Sequence, residues 1–427
     1  MELSMPLAIV LFLITYIGLL ALPKYRAYVA LGSALVFIIL GYMPISDIFQ
    51  TINWNVILMI AGTMGIVSLF IESQMPALLA DHIIEKAPNV KWAVILLSIF
   101  SGLISAFIDN VATVLILAPI AITIAKKLKI SPVPAIIAIS VASNLQGAAT
   151  LVGDTTSILL GGTAGMDFLD FFFFQGRISL FFIVQAGMIA ATLFLLYYFR
   201  KDTQAVSSHH RTKVSDYFPS FLLIGVVVFL ILASFIPNKP EVTNGLICVS
   251  LFVVGLIYHY IKNKDTSHLL KTIKEIDYFT LLLLGGLFLV IGSITNAGVI
   301  TALSDALAAL SGGNIFVIYT IIVWVSVFVS AFVDNIPYVA TMLPVMTALG
   351  AGLGMEGKPY LLYFGLLIGA TLGGNLTPIG ASANITSIGI LRKEGYEVKT
   401  WTFMKIGLPY TLSAVVVGYF LVYFIWR

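Results

Sequence analysis

The sequence predicts an all-α polytopic membrane protein built from two inverted repeats. Three observations lead to this fold class: an apolar composition, an internal repeat and a one-sided distribution of basic residues. Of the 427 residues, 59% are hydrophobic and only 10% are charged, and the mean hydropathy is +1.04, whereas about a quarter of the residues in a soluble domain are charged. The single Cys248 excludes an intrachain disulfide framework, and the C-x-x-C and H-x-x-x-H metal-binding patterns are missing from the sequence.

Windows of about 20 apolar residues, the length that crosses a bilayer as a helix, predict eight uninterrupted transmembrane helices. They lie near residues 5–22, 27–43, 54–72, 178–199, 217–237, 242–261, 278–296 and 405–426. The first segment lacks the basic flank and the clear cleavage site of a signal peptide, so it is predicted to be a retained helix.

Four further apolar regions are interrupted. Residues 92–125 and 314–350 each carry an Asp-Asn pair near the midpoint, so each could be two full spans or one re-entrant hairpin. Residues 132–174 and 360–390 are broken by runs of small and polar residues, NLQGAATLVGDTTS and GGNLTPIGASANIT. Each of these two regions is predicted to be one helix that unwinds halfway.

The distribution of the basic residues distinguishes between these topologies, because Lys and Arg accumulate on the cytoplasmic side of membrane proteins. If the Asp-Asn regions are hairpins and each broken helix crosses once, the chain crosses the membrane ten times. Nineteen of the 23 Lys and Arg residues then lie on one side, and the other side holds Arg177, Lys239, Lys358 and Arg427. We therefore expect a multi-pass protein of the plasma membrane with both termini on the outer side.

An internal repeat relates the two halves of the chain. SAFIDN at residues 105–110 recurs as SAFVDN at residues 330–335. TLVGDTTSI from Thr150 corresponds to TPIGASANI from Thr377. The hairpins and the broken helices are therefore predicted to be equivalent parts of two related halves.

The repeat predicts the domain boundaries. Residues 1–200 should form the first repeat, with three scaffold helices, a hairpin, a broken helix and a closing helix at 178–199. Residues 201–216 should form a cytoplasmic linker, and residues 217–427 the second repeat. Because each half crosses five times, the halves should be inverted, as in secondary transporters whose interrupted helices meet at the midplane.

The interruptions are predicted to form the transport site. A break in a transmembrane helix frees backbone N–H and C=O groups, which is tolerable only where they line a cavity or meet a ligand. Glycines let the backbone approach a solute there, and hydroxyl, amide and carboxylate groups supply ligands. The candidate substrate- and ion-binding residues are Asp109, Asn110, Thr113, Asn144, Thr150, Gly153, Asp154, Thr155, Asp334, Asn335, Gly374, Asn375, Thr377, Pro378, Gly380, Ser382 and Asn384. A sodium site is expected near Asp109, Asn110, Asp154, Asp334 and Asn335.

Each carboxylate also has a purely structural interpretation. Asp109 and Asp334 could be N-caps for the returning helix of each hairpin, and Asp154, whose counterpart is Ala381, could stabilise a local turn. An Asp at the bilayer centre costs about 2.5 to 3.5 kcal/mol on insertion scales, so a functional role is the default for it. Capping and ion binding are compatible roles.

Four segments carry a family resemblance: FIDNVATVLILAPIAI, ASNLQGAATLVGD, FVDNIPYVATMLPVM and LGGNLTPIGASANI. In this order they resemble the ion transporter superfamily, in the branch of arsenite efflux pumps, P-protein-like permeases and D-type sodium/proton antiporters. The divalent anion:sodium symporters and citrate-transporter-like families are more distant. The resemblance implies a scaffold domain, a mobile transport domain with elevator-like motion, and a homodimer.

The sequence departs from the wider superfamily at two places. The dicarboxylate branch carries Ser-Asn-Thr at each hairpin tip, where this chain has Asp-Asn-Val at 109–111 and Asp-Asn-Ile at 334–336. The Pro-Pro-Asn that follows Gly-Asp in many relatives is Thr-Thr-Ser at 155–157 here. Both departures fall where the resemblance implies contact with substrate.

The charge of the predicted core bears on the substrate. We expect no Lys or Arg there, whereas Asp109, Asp154 and Asp334 are present, so a cation, a proton or a neutral solute such as arsenous acid suits the site best. This favours a secondary active transporter coupled to a proton or sodium gradient, as in arsenite-efflux or P-permease-like antiport. Sodium/proton antiport and sodium-coupled symport of a dicarboxylate or oxyanion (sulfate, phosphate or citrate) are the alternatives.

Other functional classes are less consistent with the sequence. An intramembrane aspartyl protease also uses two membrane Asp residues, but FIDN and FVDN lack its Tyr-Asp and Gly-x-Gly-Asp contexts. The chain is therefore expected to be no enzyme and to need no cofactor besides a coupling sodium ion or proton. Membrane lipid, a second copy of the chain and, by resemblance to arsenite pumps, an ATPase subunit are the expected partners, and nucleic acid is not.

Overall fold

The computed structural model describes residues 4–206, 212–264, 266–355 and 359–427, and it is helical almost throughout these ranges. The helices of the first half are α1 (Met5–Ala21), α2 (Arg26–Ile39), α3 (Ile48–Thr51), α4 (Trp54–Glu72), α5 (Met75–Glu85), α6 (Val90–Ser105), α7 (Asn110–Leu128), α8 (Val133–Gln146), α9 (Thr155–Ala164) and α10 (Leu180–Tyr198). Those of the second half are α11 (Phe218–Ser234), α12 (Thr243–Asn263), α13 (Thr266–Lys274), α14 (Tyr278–Asn296), α15 (Val299–Ser311), α16 (Ile315–Ser330), α17 (Asn335–Gly352), α18 (Tyr360–Leu367), α19 (Ser382–Lys393) and α20 (Thr400–Trp426). A short hairpin of β1 (Phe173–Phe174) and β2 (Arg177–Ile178) is the exception to the predicted all-α class.

The order of helices repeats between the halves. A long helix (α4, α14) is followed by a shorter one (α5, α15), a helix pair (α6–α7, α16–α17), an interrupted helix (α8–α9, α18–α19) and a closing helix (α10, α20). Helices of one half also pack against helices of the other half. Helix α12 packs along α4, α2 packs along α14, and the closing helices α10 and α20 pack on each other. One continuous core therefore joins the two halves.

The two Asp-Asn regions are helix–turn–helix units with short tips. In the first, α6 ends at Ser105 and α7 begins at Asn110; in the second, α16 ends at Ser330 and α17 begins at Asn335. In both, the Asp that precedes the second helix has a non-helical backbone and caps that helix. We call residues 106–109 and 331–334 the first and second hairpin tips.

The interrupted helices break where the sequence predicts, but the first one ends early. Between α8 and α9, residues 147–154 leave the helix, and between α18 and α19 the chain passes through a π-turn, a 3₁₀ turn and an extended segment around Thr377. The prediction of helix up to residue 174 is wrong. Helix α9 stops at Ala164 because Gly165 adopts a left-handed conformation (φ 66°), which glycine takes at low cost.

The number of helices that can span a membrane is lower than the ten predicted. Among the described residues, six helices are long and apolar enough, or up to eight if each sharply bent pair is one span. The difference arises at α1 and α2, which are short and meet at a 111° bend, and at α8, α11 and α18, which are also shorter than a full span. Helix α7, predicted as one limb of a hairpin, is by contrast long enough to cross.

Besides the one-turn α3, three helices are missing from the sequence-based prediction. Helices α5 and α15 each precede a hairpin, and α13 precedes α14. All three mix polar and apolar residues over fewer than 18 positions, so a search for apolar windows of membrane length passes over them. The chain enters α5 through Gln74 (φ 62°) and α15 through Gly298 (φ 78°), a left-handed residue in both halves.

The predicted linker folds back on the first half. Val90 and Lys91 donate backbone hydrogen bonds to the carbonyls of Gln204 (2.9 Å) and Asp202 (2.8 Å). The backbone N–H of Thr212 donates to Asp81 at 2.8 Å. The intervening residues 207–211, which include His209 and His210, lie outside the described part of the chain.

Glycines allow the close crossings between the halves. A Cβ added at Gly62 of α4 would lie 2.4 Å from the backbone of Cys248, and one at Gly286 of α14 would lie 2.8 Å from the backbone of Ala30. Helices with glycine at the crossing approach more closely and gain packing energy, which is the main source of helix association in lipid.

We predict that Gly286→Ala lowers the apparent melting temperature of the purified protein, because the added methyl group would separate α14 from α2. Overpacking of this kind typically costs about 1–3 kcal/mol. Gly285→Ala is the matched control, since its Cβ meets nothing within 4 Å and alanine favours helix by about 1 kcal/mol over glycine. Equal melting temperatures for the two variants in detergent would contradict the role of this crossing.

Candidate functional site

A cavity of about 440 Å³ lies where the first hairpin tip, both helix breaks and the start of α17 come together. Its lining includes the first residue of four helices, which we call the cavity floor: Asn110 of α7, Thr155 of α9, Asn335 of α17 and Ser382 of α19. Because backbone N–H groups at a helix start lack intrahelical partners, such a floor concentrates hydrogen-bond donors and partial positive charge.

Three carboxylates cap three of these helix starts. Asp109 accepts the N–H of Val111 (2.9 Å) and of Ala112 (3.2 Å) on the same oxygen, Oδ2. Asp154 Oδ1 accepts the N–H of Thr155 at 2.7 Å. The capping interpretation of Asp109 is confirmed. Asp154, which the sequence suggested could stabilise a local turn, is the N-cap of α9.

The third carboxylate, Asp334, is engaged on both oxygens. Its Oδ1 accepts the N–H of Ile336 at 3.1 Å, and its Oδ2 accepts from Arg26 Nη1 at 2.9 Å. Arg26 also donates its Nε–H to the carbonyl of Leu19 at 3.0 Å. Both side chains of the ion pair are largely buried, with exposed fractions of 15% for Arg26 and 11% for Asp334.

This ion pair corrects the expectation that the core holds no Lys or Arg. The prediction placed Arg26 in a loop between two full spans. In the structure α1 ends at Ala21 and α2 begins at Arg26, with a sharp bend between them. The bend brings the guanidinium to the second hairpin tip.

Each hairpin tip is tied to the helix break of its own half. Thr150 donates its hydroxyl to the carbonyl of Ala106, and Thr377 does the same to the carbonyl of Ala331. Gly153 and Gly380 sit against the tip carbonyls so closely that a Cβ would lie 3.0 Å from the Ala106 oxygen and 2.8 Å from the Ala331 oxygen. The repeated sequence motif therefore forms the same tertiary contact twice.

Polar side chains also join the two halves around the breaks. Asn144 donates to the carbonyl of Thr371 (2.7 Å), and Asn375 donates to the carbonyl of Val141 (2.9 Å). Ser140 donates to Asn384 Oδ1 at 2.6 Å. These bonds satisfy two backbone carbonyls and one side-chain amide oxygen in a fully buried region, where an unpaired group would be costly.

The predicted site residues therefore fall into three groups. Those that line the cavity are Asp109, Asn110, Asp154, Thr155, Asn335 and Ser382. Those that stabilise the tips and breaks from inside are Thr113, Asn144, Thr150, Gly153, Gly374, Asn375, Thr377, Gly380 and Asn384. Asp334 is held in the ion pair, and Pro378 lies half-buried in the second break.

Of the residues expected at a sodium site, Asp109, Asn110, Asp154 and Asn335 share the cavity. Asn110 donates to Asn144 Oδ1 at 3.0 Å, and Asn335 Nδ2 lies 3.5 Å from Asp154 Oδ2. In the described ranges, no three His, Cys, Asp or Glu side chains are grouped so as to hold a metal ion. Asp109 lines the cavity, and its Oδ1 has no hydrogen-bond partner among the described residues.

Sequence reasoning missed the other polar residues of the cavity. These are Ser68 of α4, Glu275 after α13, and Asp277 and Thr280 at the start of α14. Ser68 donates to Glu275, and Asp277 caps α14 by accepting from the N–H of Thr280 at 3.1 Å. A capping signal was present, because Asp277 directly precedes an apolar run. What the sequence could not give was that Glu275 and Asp277 line the same cavity as Asp109.

The cavity is acidic. Asp109, Asp154, Glu275 and Asp277 line it, and Lys and Arg are absent from its lining among the described residues. A water-accessible cavity with carboxylates on its wall attracts cations and can exchange protons with solution. The donors of the four helix starts oppose this charge at the floor.

Comparison with known proteins identifies relatives along most of the chain. The profile of the citrate transporter family (CitMHS) matches residues 9–369. An uncharacterized transporter of Mycobacterium tuberculosis is 31% identical over 423 residues, which is 96% of each chain. The human P protein is 24% identical over 89% of this chain and 54% of its own length. The crystal structure of the Alcanivorax borkumensis YdaH transporter has a TM-score of 0.59 at 14% identity, covering 88% of this chain and 86% of that one, which shows a shared fold.

We predict that Thr150→Val destabilises the protein and reduces its transport activity, because the carbonyl of Ala106 would lose its buried donor. Leaving such a group unpaired costs about 1–3 kcal/mol. Thr123→Val is the matched control, since Thr123 donates to Pro119 within exposed helix surface. Melting temperature in detergent and transport in liposomes measure the two effects. If both valine variants behaved like wild type, the hydrogen bond between Thr150 and Ala106 would not have the proposed importance.

Proposed function

The chain belongs to the citrate transporter family, and we propose that it is a secondary active transporter that couples solute movement to a proton or sodium ion bound at Asp109 and Asp154. Members of this family and the relatives above are transporters and not enzymes. The observation that carries the proposal is the acidic cavity, whose described lining has four carboxylates and no basic side chain. A site of this charge needs a bound cation before its mouth can close.

Asp109 and Asp154 are the residues best placed to take the coupling cation. Both line the cavity, and amide side chains that could complete a ligand set stand next to them, on Asn110 and Asn335. Oxygen ligands of this kind suit a sodium ion, and either carboxylate could accept a proton instead. Glu275 and Asp277 lie nearer the connection between α13 and α14 and would raise the local cation concentration.

The acidic lining favours a neutral or cationic solute. A weak acid that is neutral at physiological pH, such as arsenous acid, could enter without meeting repulsion, which supports arsenite-efflux or P-permease-like antiport as the favoured function. Sodium/proton antiport is the simplest alternative, because the same carboxylates would then exchange one cation for the other.

One observation favours an anionic solute instead. Helix α19 begins at the cavity floor with Ala381 at its N-cap, so it lacks the side-chain cap that Asp154 gives to α9. An uncapped helix start attracts carboxylates and oxyanions. Together with the description of the family as citrate transporters, the uncapped start of α19 supports symport of citrate, a dicarboxylate, sulfate or phosphate as a second candidate function. Such an anion would have to enter with cations that offset the acidic lining.

We infer that transport proceeds by alternating access between two inverted halves, with elevator-like motion of the hairpins and breaks. The packing of α2 and α4 of the first half against α14 and α12 of the second half supports this inference. The one-sided distribution of basic residues supports it as well. A homodimer, implied by resemblance to the superfamily, and a plasma-membrane location with both termini outside, as the distribution of basic residues predicts, complete the proposal.

Reconstitution in liposomes tests the proposed function. Uptake and efflux of arsenite, sodium, sulfate, phosphate, a dicarboxylate, and citrate with and without a divalent cation would be measured under imposed proton and sodium gradients. Gradient-driven accumulation of one of these solutes is the expected result. Conductance that follows the solute's own gradient, without coupling, would indicate a channel and overturn the proposal.

We predict that Asp109→Asn and Asp154→Asn abolish gradient-driven transport while leaving folded protein in the membrane. Asparagine keeps an oxygen that caps a helix start, but it cannot take up a proton and binds a cation more weakly. Asp305→Asn on the exposed face of α15 is the matched control. Wild-type accumulation by both cavity variants would show that the coupling cation binds elsewhere.

A further inference from the structure

We propose that Thr156 and Thr371, neither of which lines the cavity, are positioning residues that hold the Asp154 carboxylate and set how tightly it binds the coupling cation. Their hydroxyl groups form a chain that runs from Asp154, at the end of the first break, to the π-turn of the second break. The inference rests on the proposed function and deepens it, because it names residues that control the release of the cation.

Asp154 is held on both carboxylate oxygens. Its Oδ1 accepts the backbone N–H of Thr155 at 2.7 Å, and its Oδ2 accepts the hydroxyl of Thr156 at 3.0 Å. The Nδ2 of Asn335 lies 3.5 Å from the same Oδ2. Asp154 lines the cavity although only 6% of its surface is exposed. Its neighbours therefore fix the position of this carboxylate on the cavity wall.

Thr156 is in turn bonded to the second half of the chain. Its Oγ1 lies 3.0 Å from Oγ1 of Thr371, which belongs to the π-turn Ile368–Leu372, and both threonines are buried. The carbonyl of Thr371 also accepts from Asn144 at 2.7 Å. Thr371 thus contacts α8 before the first break and α9 after it. All these residues lie in the breaks and their helices, which are proposed to move together, so the contacts can persist during that motion.

The internal repeat indicates that the Thr156 hydroxyl serves the carboxylate. In the alignment of TLVGDTTSI with TPIGASANI, Asp154 corresponds to Ala381 and Thr156 corresponds to Ala383. The position between them keeps a hydroxyl in both halves, as Thr155 and Ser382. A hydroxyl needed only for packing of the helix start would be expected in both halves. The hydroxyl at position 156 occurs only in the half that has the Asp.

The donors and acceptors of the chain have only one arrangement while Asp154 is ionised. A carboxylate can only accept, so Thr156 donates its single hydroxyl hydrogen to Asp154, and Thr371 must donate to Thr156. After Asp154 takes up a proton on Oδ2, both bonds can reverse, with Asp154 donating to Thr156 and Thr156 donating to Thr371. The chain can therefore satisfy either charge state without displacement of a heavy atom.

The chain should weaken cation binding at Asp154. A hydrogen bond donated to a carboxylate stabilises its ionised form and so opposes uptake of a proton or of a sodium ion. Loss of the Thr156 hydroxyl should therefore tighten cation binding by about tenfold. Loss of the Thr371 hydroxyl should act in the same direction by only about twofold, because Thr371 strengthens the bond to Asp154 through Thr156.

Protons and sodium ions, each used alone, are the probes of the test. Charge displacement on a solid-supported membrane would be recorded after pH jumps and after sodium jumps, with the full chain in liposomes. The variants are Thr156→Val, Thr371→Val, the double valine variant and Thr156→Ser. Thr411→Val is the matched control, since Thr411 is buried in α20 and its hydroxyl has no hydrogen-bond partner among the described residues.

Thr156→Val should lower the half-saturating concentration of the coupling cation about tenfold, and Thr371→Val about twofold. The double variant should match Thr156→Val, because Thr371 acts only through Thr156. Thr156→Ser keeps the hydroxyl and should restore the wild-type value, and Thr411→Val should leave that value unchanged. A loss of stability alone would reduce the amount of active protein without moving the half-saturating concentration.

Two outcomes would overturn the inference. One is an active Thr156→Val protein with the wild-type half-saturating concentration. The other is a double variant whose shift is the sum of the two single shifts, since Thr371 would then act independently of Thr156. If Thr156→Val does not reach the membrane, Thr371→Val decides, and an unchanged value there overturns the inference. In both cases wild type still responds to the cation. If wild type itself shows no saturable response to protons or sodium, the proposed function fails and the inference fails with it.

Discussion

Every backbone group that leaves a helix inside this apolar molecule needs a new partner, and the hairpin tips and helix breaks provide partners for one another. Thr150 and Thr377 each reach from a break to a tip carbonyl, at Ala106 and at Ala331. Gly153 and Gly380 allow the close approach that these bonds require. A tip and a break of one half therefore form a single unit, and movement of one carries the other with it.

The same constraint explains why carboxylates are tolerated here. Four helices begin at one cavity, and three of them take an Asp as the cap of their first turn, which offsets part of the cost of burying that Asp. In each of these Asp residues, only one of the two carboxylate oxygens accepts the capping N–H groups. For Asp109 both capping bonds go to Oδ2, so Oδ1 is not used in the cap.

The sequence predicted the hairpin tips and the helix breaks but missed the short amphipathic helices and the placement of single residues around the cavity. The tips, the breaks and the residues lining the cavity floor follow from SAFIDN, SAFVDN and the two glycine-rich segments, because each signal appears twice at nearly constant spacing. The membership in a transporter family that the resemblance implied is confirmed by comparison with known proteins. Arg26 was misplaced because a span count assumes straight helices and the bend after α1 has no counterpart in hydropathy. The acidic wall of Glu275 and Asp277 depends on how α13 and α14 pack, which a linear pattern does not encode.

Under the proposed function, the use of only one Asp109 oxygen for capping affects how a bound cation would drive transport. If the exchangeable cation displaced the cap, each cycle would unfold the first turn of α7 and spend the coupling energy locally. Because Oδ1 is separate from the capping Oδ2, the charge of the tip can change while the helix start stays intact. Under the proposed function, the free-energy difference between the charged and the neutralised carboxylate would act on the position of the first tip and its break together. The bonds of Asn144 and Asn375 across the halves connect the regions of the two breaks, so a cation bound at the first tip would act on both breaks.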